Sequence, residues 1–349
     1  MIRYSIIKAD IKKNKKDIVP ILKRNLEDIT EEKYDWNYQK STFGPAKCYI
    51  AKETKSDSFV GTAAIFPRKA FVKGKEKIAG IAGDYAVDKK HRAFGPALDI
   101  QKKVKSTANE GEFDFIYGLP NKQSKLLFLR IGYIEIGPLK DYIKILKTKH
   151  MAKEHLPHLL KFRIFSSIFD IYLRIVGKEY RYKKHKDFLI EEPDMFDKRF
   201  DIFFENMENS HNIVGKRSSD FLNWRYRKSP AQEYKIFCIT DKEKDIKGYM
   251  VYFLKEKVCH IVDTFFKNSD KVVNVLFSEF LIHMNKKDIG AVAIKYLGNS
   301  FFKEQLKKYN FFERKAPNLS LFVFSKNISS EKILLNEENW YFFEGDSDI

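Results

Sequence analysis

The stretch GDYAVDKKHRAFGPAL, residues 83–98, decides how the rest of the chain is read. Its apolar start predicts a buried strand ending at Val87, its middle a short basic loop, and its end a helix opening at Pro96. Proline suits the first helical position, where its missing N–H has no intrahelical bond to lose. Gly95 lets a ligand come close to the backbone, and the N–H groups at a helix start attract anions. His91 and Arg92 add positive charge at the same point. Taken alone, the stretch is either a loop for phosphate groups or a plain strand-to-helix connection with a surface arginine.

A second pattern follows the next strand. Phe113–Gly118 reads as that strand, and Asn121 opens a helix along which Ser124, Leu127 and Phe128 recur before the closing Gly132-Tyr133. Together the two patterns resemble the GNAT superfamily of acyl-CoA-dependent acetyltransferases. The family's pyrophosphate loop, Gln/Arg-x-x-Gly-x-Gly/Ala, stands here as Arg92-x-x-Gly95-x-Ala97. Its next helix, Asn-x-x-Ala/Ser with a Tyr seven residues after the Asn and then Gly-Phe, stands as Asn121, Ser124, Phe128 and Gly132-Tyr133, with every spacing kept.

The resemblance implies acetyl-CoA as cofactor. It implies that Ala86 and Val87 hydrogen-bond the pantetheine arm, one of their N–H groups also serving as oxyanion donor. Arg92, Ala93, Phe94, Gly95, Pro96 and Ala97 would wrap the pyrophosphate, while Asn121, Ser124 and Phe128 would hold the pantetheine end. One departure matters. The family often places a tyrosine acid where this chain has Phe128, so the leaving thiolate must be protonated by another group or by water. A thiol of pKa about 8.5 needs little help to leave.

The chain's 349 residues favour two domains, and 44% apolar content is enough for two cores. Cys48, Cys238 and Cys259 show no paired spacing, which points to a reducing compartment and no metal site. The first residues turn charged before a signal segment could form, and no run of twenty uncharged residues appears, so a cytoplasmic location is expected. The net charge of +18 would attract anionic partners. Much of the excess lies between Lys140 and Lys186 rather than along one groove, which argues against nucleic acid as the main ligand.

In chain order, Ile2–Lys8 reads as a strand. Lys15–Leu26 reads as a helix with Ile18, Ile21, Leu22 and Leu26 on one face. Trp36–Ser41 is a short aromatic element, Cys48–Ala51 and Ser58–Phe66 a pair of antiparallel strands, Ile78–Val87 the strand feeding the loop, and Tyr142–Leu146 the strand closing the first sheet. The second half repeats this order. Trp224-Arg225-Tyr226-Arg227-Lys228-Ser229 repeats the W-x-Y-x-K-S of residues 36–41, Gly248 matches Gly61, and Asp263 stands where the first copy has Asp84. From that acid to the helix-opening asparagine is 37 residues in one copy and 36 in the other, and from there to the closing pair 11 in both. An internal duplication accounts for this.

The expected fold is therefore α/β, two tandem GNAT-like domains, each a mixed, mostly antiparallel sheet flanked by helices. The first spans 1–147 with the CoA loop, a basic amphipathic helical linker spans 148–186, a degenerate copy spans 187–330, and an aromatic and acidic tail spans 331–349. Aligned with Arg92–Ala97, the second copy has Lys271–Leu276, with no glycine, no arginine and bulky side chains, so it is expected not to hold CoA. The linker's helix, 155–177, would pack between domains or against a second subunit, or lie on a membrane surface. The tail's aromatics suggest docking on the body. Its ending also resembles acetyltransferases encoded with cell-surface polysaccharide pathways.

Acetyl transfer to an amine needs positioning and a base. Asp84, three residues before Val87, is the best-placed carboxylate for that role; the alternative is a structural cap or pair with His91 or Arg92. Asp114 is second choice. Tyr85 is a catalytic candidate and Tyr117 a substrate-side one, though either could be core packing. Trp224, with Trp36, closes its core or meets substrate, and the Arg225 fork suits a phosphate or carboxylate on an anionic acceptor. The function expected is acetyl-CoA-dependent N-acetylation of a small amine, with a nucleotide-linked amino sugar as first guess. The alternatives are a Fem-type aminoacyltransferase using aminoacyl-tRNA and a non-catalytic acyl-CoA-binding scaffold.

Overall fold

The computed structural model describes residues 4–148, 170–182, 186–315, 319–327 and 331–348. β1 (Tyr4–Ala9), β2 (Lys47–Glu53), β3 (Phe59–Val72) and β4 (Lys75–Val87) form an antiparallel run. Their side chains alternate between two faces. On one face, α1 (Lys15–Asn25) buries Ile18, Ile21 and Leu22 against Phe66, Ile81 and Ala86, with Leu26 packed at the margin. On the other, α2 (Pro96–Asn109) buries Ile100, Val104 and Ala108 against Ile65, Ala82 and Val87. β5 (Phe115–Gly118), α3 (Lys125–Arg130), β6 (Ile134–Pro138) and β7 (Lys140–Ile145) complete the first half.

The second half adds β8 (Leu189–Glu191) and β9 (Ile213–Gly215), then repeats the order of the first. β10 (Lys235–Thr240), β11 (Ile246–Lys255) and β12 (Val258–Phe266) lead to α4 (Asp270–Lys286), β13 (Ala291–Gly298) and α5 (Ser300–Lys308). Asn299 caps α5 by accepting from the Phe302 N–H at 3.1 Å, as the repeat predicts. β14 (Phe312–Glu313), β15 (Ser320–Phe324) and β16 (Trp340–Phe343) end the chain.

The halves share one mixed sheet, whose main path runs β6-β15-β5-β4-β3-β9-β16-β13-β12-β11-β10-β8. This corrects the expectation that Tyr142–Leu146 closes the first sheet. β7 pairs antiparallel with β13 of the second half, from Ile145↔Ala291 to Lys140↔Tyr296, and with β14. In return β15 pairs with β5 and β6 of the first half. An alternating strand specifies which face it buries, not which distant edge it joins, so the exchange leaves no mark in the local pattern.

The repeated Trp-x-Tyr elements are both five-residue π-helical turns, Asp35–Gln39 and Asn223–Arg227. Instead of each closing its own core, Trp36 and Trp224 meet between the halves. The tail docks as expected, and more deeply: β16 lies between β9 and β13 within the sheet. Of the helix expected over 155–177, residues up to 169 lie outside the described ones; 170–176 are helical, with Asp170 accepting from the Thr148 N–H at 2.7 Å. Among the described residues no helix is long and apolar enough to cross a membrane. Cys48, Cys238 and Cys259 are buried free thiols.

Candidate active site

β4 and β5 run parallel for only three pairs, Ala79↔Phe115, Gly80↔Ile116 and Ile81↔Tyr117, and β5 ends one residue later at Gly118. From Ala82 to Val87, β4 pairs with β3 on one side and, among the described residues, with no strand on the other. The notch opens just past Gly118, where an added methyl would lie 2.9 Å from the Ala82 carbonyl oxygen and 3.2 Å from the Phe128 ring. Any larger side chain at 118 would fill the apex. The free strand edge is where Ala86 and Val87 were expected to present backbone groups; both side chains are buried, which leaves the main chain as the part on offer.

A bulge shapes the same edge. Thr62 faces Ala86 and Ala64 faces Gly83, so Asp84 and Tyr85 together oppose Ala63. Asp84 takes the left-handed conformation, φ 47°. Aspartate tolerates that region better than most residues.

At the notch's rim the 3₁₀ turn Lys89–Phe94 runs into Gly95, φ 97°, and α2 begins at Pro96. A methyl group at Gly95 would meet no atom within 4 Å, so the turn is open outward. The Leu98 and Asp99 N–H groups return to the Gly95 carbonyl at 3.0 and 3.3 Å, while the Ala97 N–H has no place in the helical ladder. Arg92 Nε donates to the Val87 carbonyl at 2.9 Å and Nη2 to Asn25 Oδ1 at 3.1 Å, tying the loop to β4 and α1. Burial alone would raise the Asp88 pKa, but hydrogen bonds from Arg24 and Asn25 lower it. His91 and Tyr4 Oη are 3.0 Å apart. The backbone of Ala93 and Phe94 belongs to the 3₁₀ turn.

Asn121 caps the third helix's approach, its Oδ1 accepting from the Gln123 and Ser124 N–H groups at 3.1 and 3.0 Å. Ser124 precedes α3, and Phe128 is buried against Tyr133, ring centroids 4.7 Å apart, lining the notch apex. These residues fit a pantetheine-diphosphate ligand: a free strand edge, a glycine cradle, an open helix start and an arginine converge on one notch.

On the opposite sheet face from α2 lie the acids. Burial raises the Asp84 pKa, opposed by Tyr38 and Lys33. Tyr38 Oη is buried and makes no well-formed hydrogen bond, although it faces this carboxyl. Asp348, from the tail, lies over Gly83 beside Asp84, and burial, then the Asp84 charge, push its pKa up to about 7. Tyr85 is half-buried, its pKa raised by burial and held back by Arg92. Asp114 belongs elsewhere: it accepts from Lys77 Nζ at 2.9 Å and the Ile78 N–H at 2.7 Å, at the far end of the sheet.

The three substrate-side candidates line the junction with the tail. Arg225 is buried, Nε donating to the Gly345 carbonyl at 3.1 Å and Nη2 to the Ser347 carbonyl at 2.7 Å. Tyr117 Oη donates to the Asp346 carbonyl at 2.9 Å. Trp224 stacks on Trp36. Sequence reasoning missed Tyr38 and Asp348. The tail's aromatic run signalled docking, but nothing local signalled which carboxyl it would deliver.

Among the described residues, the second half has no open notch. Tyr296 pairs with Lys140 on one edge of β13 and with Phe343 on the other, so β16 enters on the β12 side, where the two strands part. Tyr341 Oη donates to the Thr264 carbonyl at 3.0 Å. Val272, Val273, Val275 and Leu276, which align with the first copy's loop, are buried in α4. Asp263, the counterpart of Asp84, pairs with Arg217, Nε to Oδ1 at 3.0 Å.

No protein-family model matches the sequence, and no curated protein does. Solved structures do match in fold. A GCN5-related N-acetyltransferase from Anabaena variabilis aligns with TM-score 0.67 at 14% identity, over 93% of this chain and 74% of that one. A probable N-acyltransferase from Enterococcus faecalis aligns with TM-score 0.66 at 12% identity, over 92% and 72%. The Saccharomyces cerevisiae N-myristoyltransferase bound to myristoyl-CoA aligns with TM-score 0.56 at 12% identity, over 92% and 79%. The chain thus has the mixed α/β fold of GCN5-related N-acetyltransferases.

Proposed function

We propose that the chain is an acyl-CoA-dependent N-acyltransferase of tandem GNAT-like architecture, whose first half binds acetyl-CoA and whose second half has lost that capacity. The observation that carries this reading is the end of the β4–β5 pairing at Ile81 and Tyr117, past which β4 runs on to Val87 without a described strand on that side and leads to the Gly95–Pro96 helix start. A bound acyl-CoA supplies an activated acyl group. The chain's own residues then orient it: the Ala82–Val87 edge and the Ala97 N–H offer donors, and the Gly95 turn leaves room for the diphosphate. Asp84 accepts the acceptor amine's proton. The expected acceptor is a small amine, and nucleotide-linked amino sugars come first because the net charge of +18 favours an anionic carrier.

Thiol release from acetyl-CoA, screened against amines and nucleotide amino sugars, tests this reading. Acceptor-dependent release that is lost on substituting Asp84→Asn supports it. Acetyl-CoA binding without release across the panel would favour a non-catalytic scaffold, and displacement by aminoacyl-tRNA would favour the Fem-type alternative.

A further inference from the structure

Residues 344–348 reach into the first half's cleft from the second. β16 ends at Phe343, the turn Glu344–Asp346 follows, and Arg225 fixes the two carbonyls at Gly345 and Ser347. Asp346 is clamped by Arg68 at 3.2 Å and Arg217 at 2.8 Å. These contacts deliver Asp348 onto Gly83. A methyl group at 83 would lie 2.9 Å from Asp348 Cβ and closer still to Oδ2, so only glycine leaves the carboxyl its place.

Asp84 is the next residue, on the same bulge. Among the described residues, no arginine closes on either carboxyl as Arg217 closes on Asp263; Lys33 opposes the pKa rise of both, and Arg225 that of Asp348. The other titratable groups facing them are Tyr34, Tyr38 and Cys48 around Asp84, and Tyr117 beside Asp348. Tyr38, only 1% exposed, aims an unpartnered hydroxyl at Asp84. Two adjacent carboxyls in a protein-walled cleft resist ionising together and hold a proton between them. The Tyr38 hydroxyl beside Asp84 favours the charge on that member of the pair.

We propose that Asp348 and Asp84 form one proton-binding unit, capped by the Tyr38 hydroxyl, and that this unit, not Asp84 alone, takes the proton from the acceptor amine. This rests on the acyl-transfer reading above. The acceptor's ammonium gives one proton to the ionised pair, which becomes singly protonated. The freed nitrogen lone pair forms the C–N bond at the thioester carbonyl carbon as the C–S bond breaks. The surplus proton on nitrogen leaves with the thiolate as thiol, and the pair returns its proton to solvent.

The test uses the full chain labelled with carbon-13 at aspartate carboxyls and titrated between about pH 5 and 9, a window spanning neutrality. A carboxyl titrating near neutrality is expected in the wild type and lost in Asp348→Asn. In Asp84→Asn the titration of Asp348 should fall toward the ordinary carboxylate range, because the neighbouring charge is gone. Gly83→Ala, which displaces Asp348 without altering either carboxyl, should reproduce Asp348→Asn, with melting curves confirming that each variant folds. If no carboxyl titrates near neutrality, or if Asp348→Asn and Gly83→Ala leave that titration in place, the shared proton is overturned. In thiol release, Asp348→Asn should cost about tenfold or more and move the rising pH limb to lower pH. A loss with the limb unmoved overturns the role as base. Absence of acetyl-CoA binding and thiol release would sink acyl transfer instead, and the carboxyl titration would still decide the shared proton.

Discussion

Trp36 and Trp224 stack at 4.9 Å between ring centroids, and each indole N–H donates to the other's carbonyl, at 2.9 Å from Trp36 and 3.2 Å from Trp224. The contact is self-complementary: residues at matching positions of the two repeats satisfy each other, as in an isologous dimer folded into one chain. Each buried indole needs a partner for its N–H, and the π-helical turn exposes the carbonyl that provides it. Trp36→Ala should therefore destabilise the protein by about 3–5 kcal/mol, in the range for buried aromatics. The double variant with Trp224→Ala should cost less than the sum of the singles, read by denaturant unfolding.

Asp346 is buried between Arg68 and Arg217, and although burial raises its pKa, the two guanidiniums lower it further. Asp346→Asn would leave buried Arg68 without its carboxylate and buried Arg217 with Asp263 alone. A loss of about 3–5 kcal/mol is expected, with the melting temperature as readout.

His211 stacks on Tyr341 of β16, ring centroids 3.9 Å apart, and burial, then Arg217, push its pKa down to about 3. The unfolded chain binds this proton below about pH 6.5 and the folded chain does not. Stability is therefore full above that pH and falls as pH drops toward 3, by at most about 1.4 kcal/mol per unit. His211→Phe should flatten the slope of melting temperature between about pH 7 and 5. An unchanged slope would place the acid sensitivity elsewhere.

Gly95 holds φ 97° where a side chain would meet open space, so the conformation, not crowding, restricts it. Gly95→Val should cost about 1 kcal/mol or more in stability through strain and weaken acetyl-CoA binding at least about tenfold, by titration calorimetry. Gly111→Ala, at another exposed positive φ, should cost similar stability and leave binding unchanged.

Arg225 holds the segment that delivers Asp348. Arg225→Ala should raise the acceptor's KM and lower kcat together while leaving acetyl-CoA affinity within about twofold, since its hydrogen bonds go to the tail and none to the Lys89–Pro96 turn. Equal losses for both substrates would count against that placement.

The turn and helix start at Gly95–Pro96 and the helix cap at Asn299 were legible because their chemistry is local: a glycine, a proline or a capping side chain acts on its own neighbours, whereas the helix expected to open at Asn121 begins at Lys125, after a turn that Asn121 caps. The strands were legible from alternation. What sequence could not yield were the relationships between distant segments. Tyr142 reads as strand, yet nothing near it says that its partner is Ile294. Arg225 reads as a fork for an anion, yet it spends its donors on two carbonyls of the tail. Asp84 drew notice because it precedes the loop, and Asp348 did not because 264 residues separate it from its neighbour.

The reciprocal strands β7 and β15 bear on how this molecule can be taken apart. A fragment holding residues 187–330 would carry β13 with one edge bare of Lys140–Ile145 and the other, past its pairing with β12, bare of Trp340–Phe343. Such a piece is a sticky sheet, not a miniature of its parent. Anyone wishing to ask what the later repeat does by itself will need a rewired gene that places both missing strands back in reach.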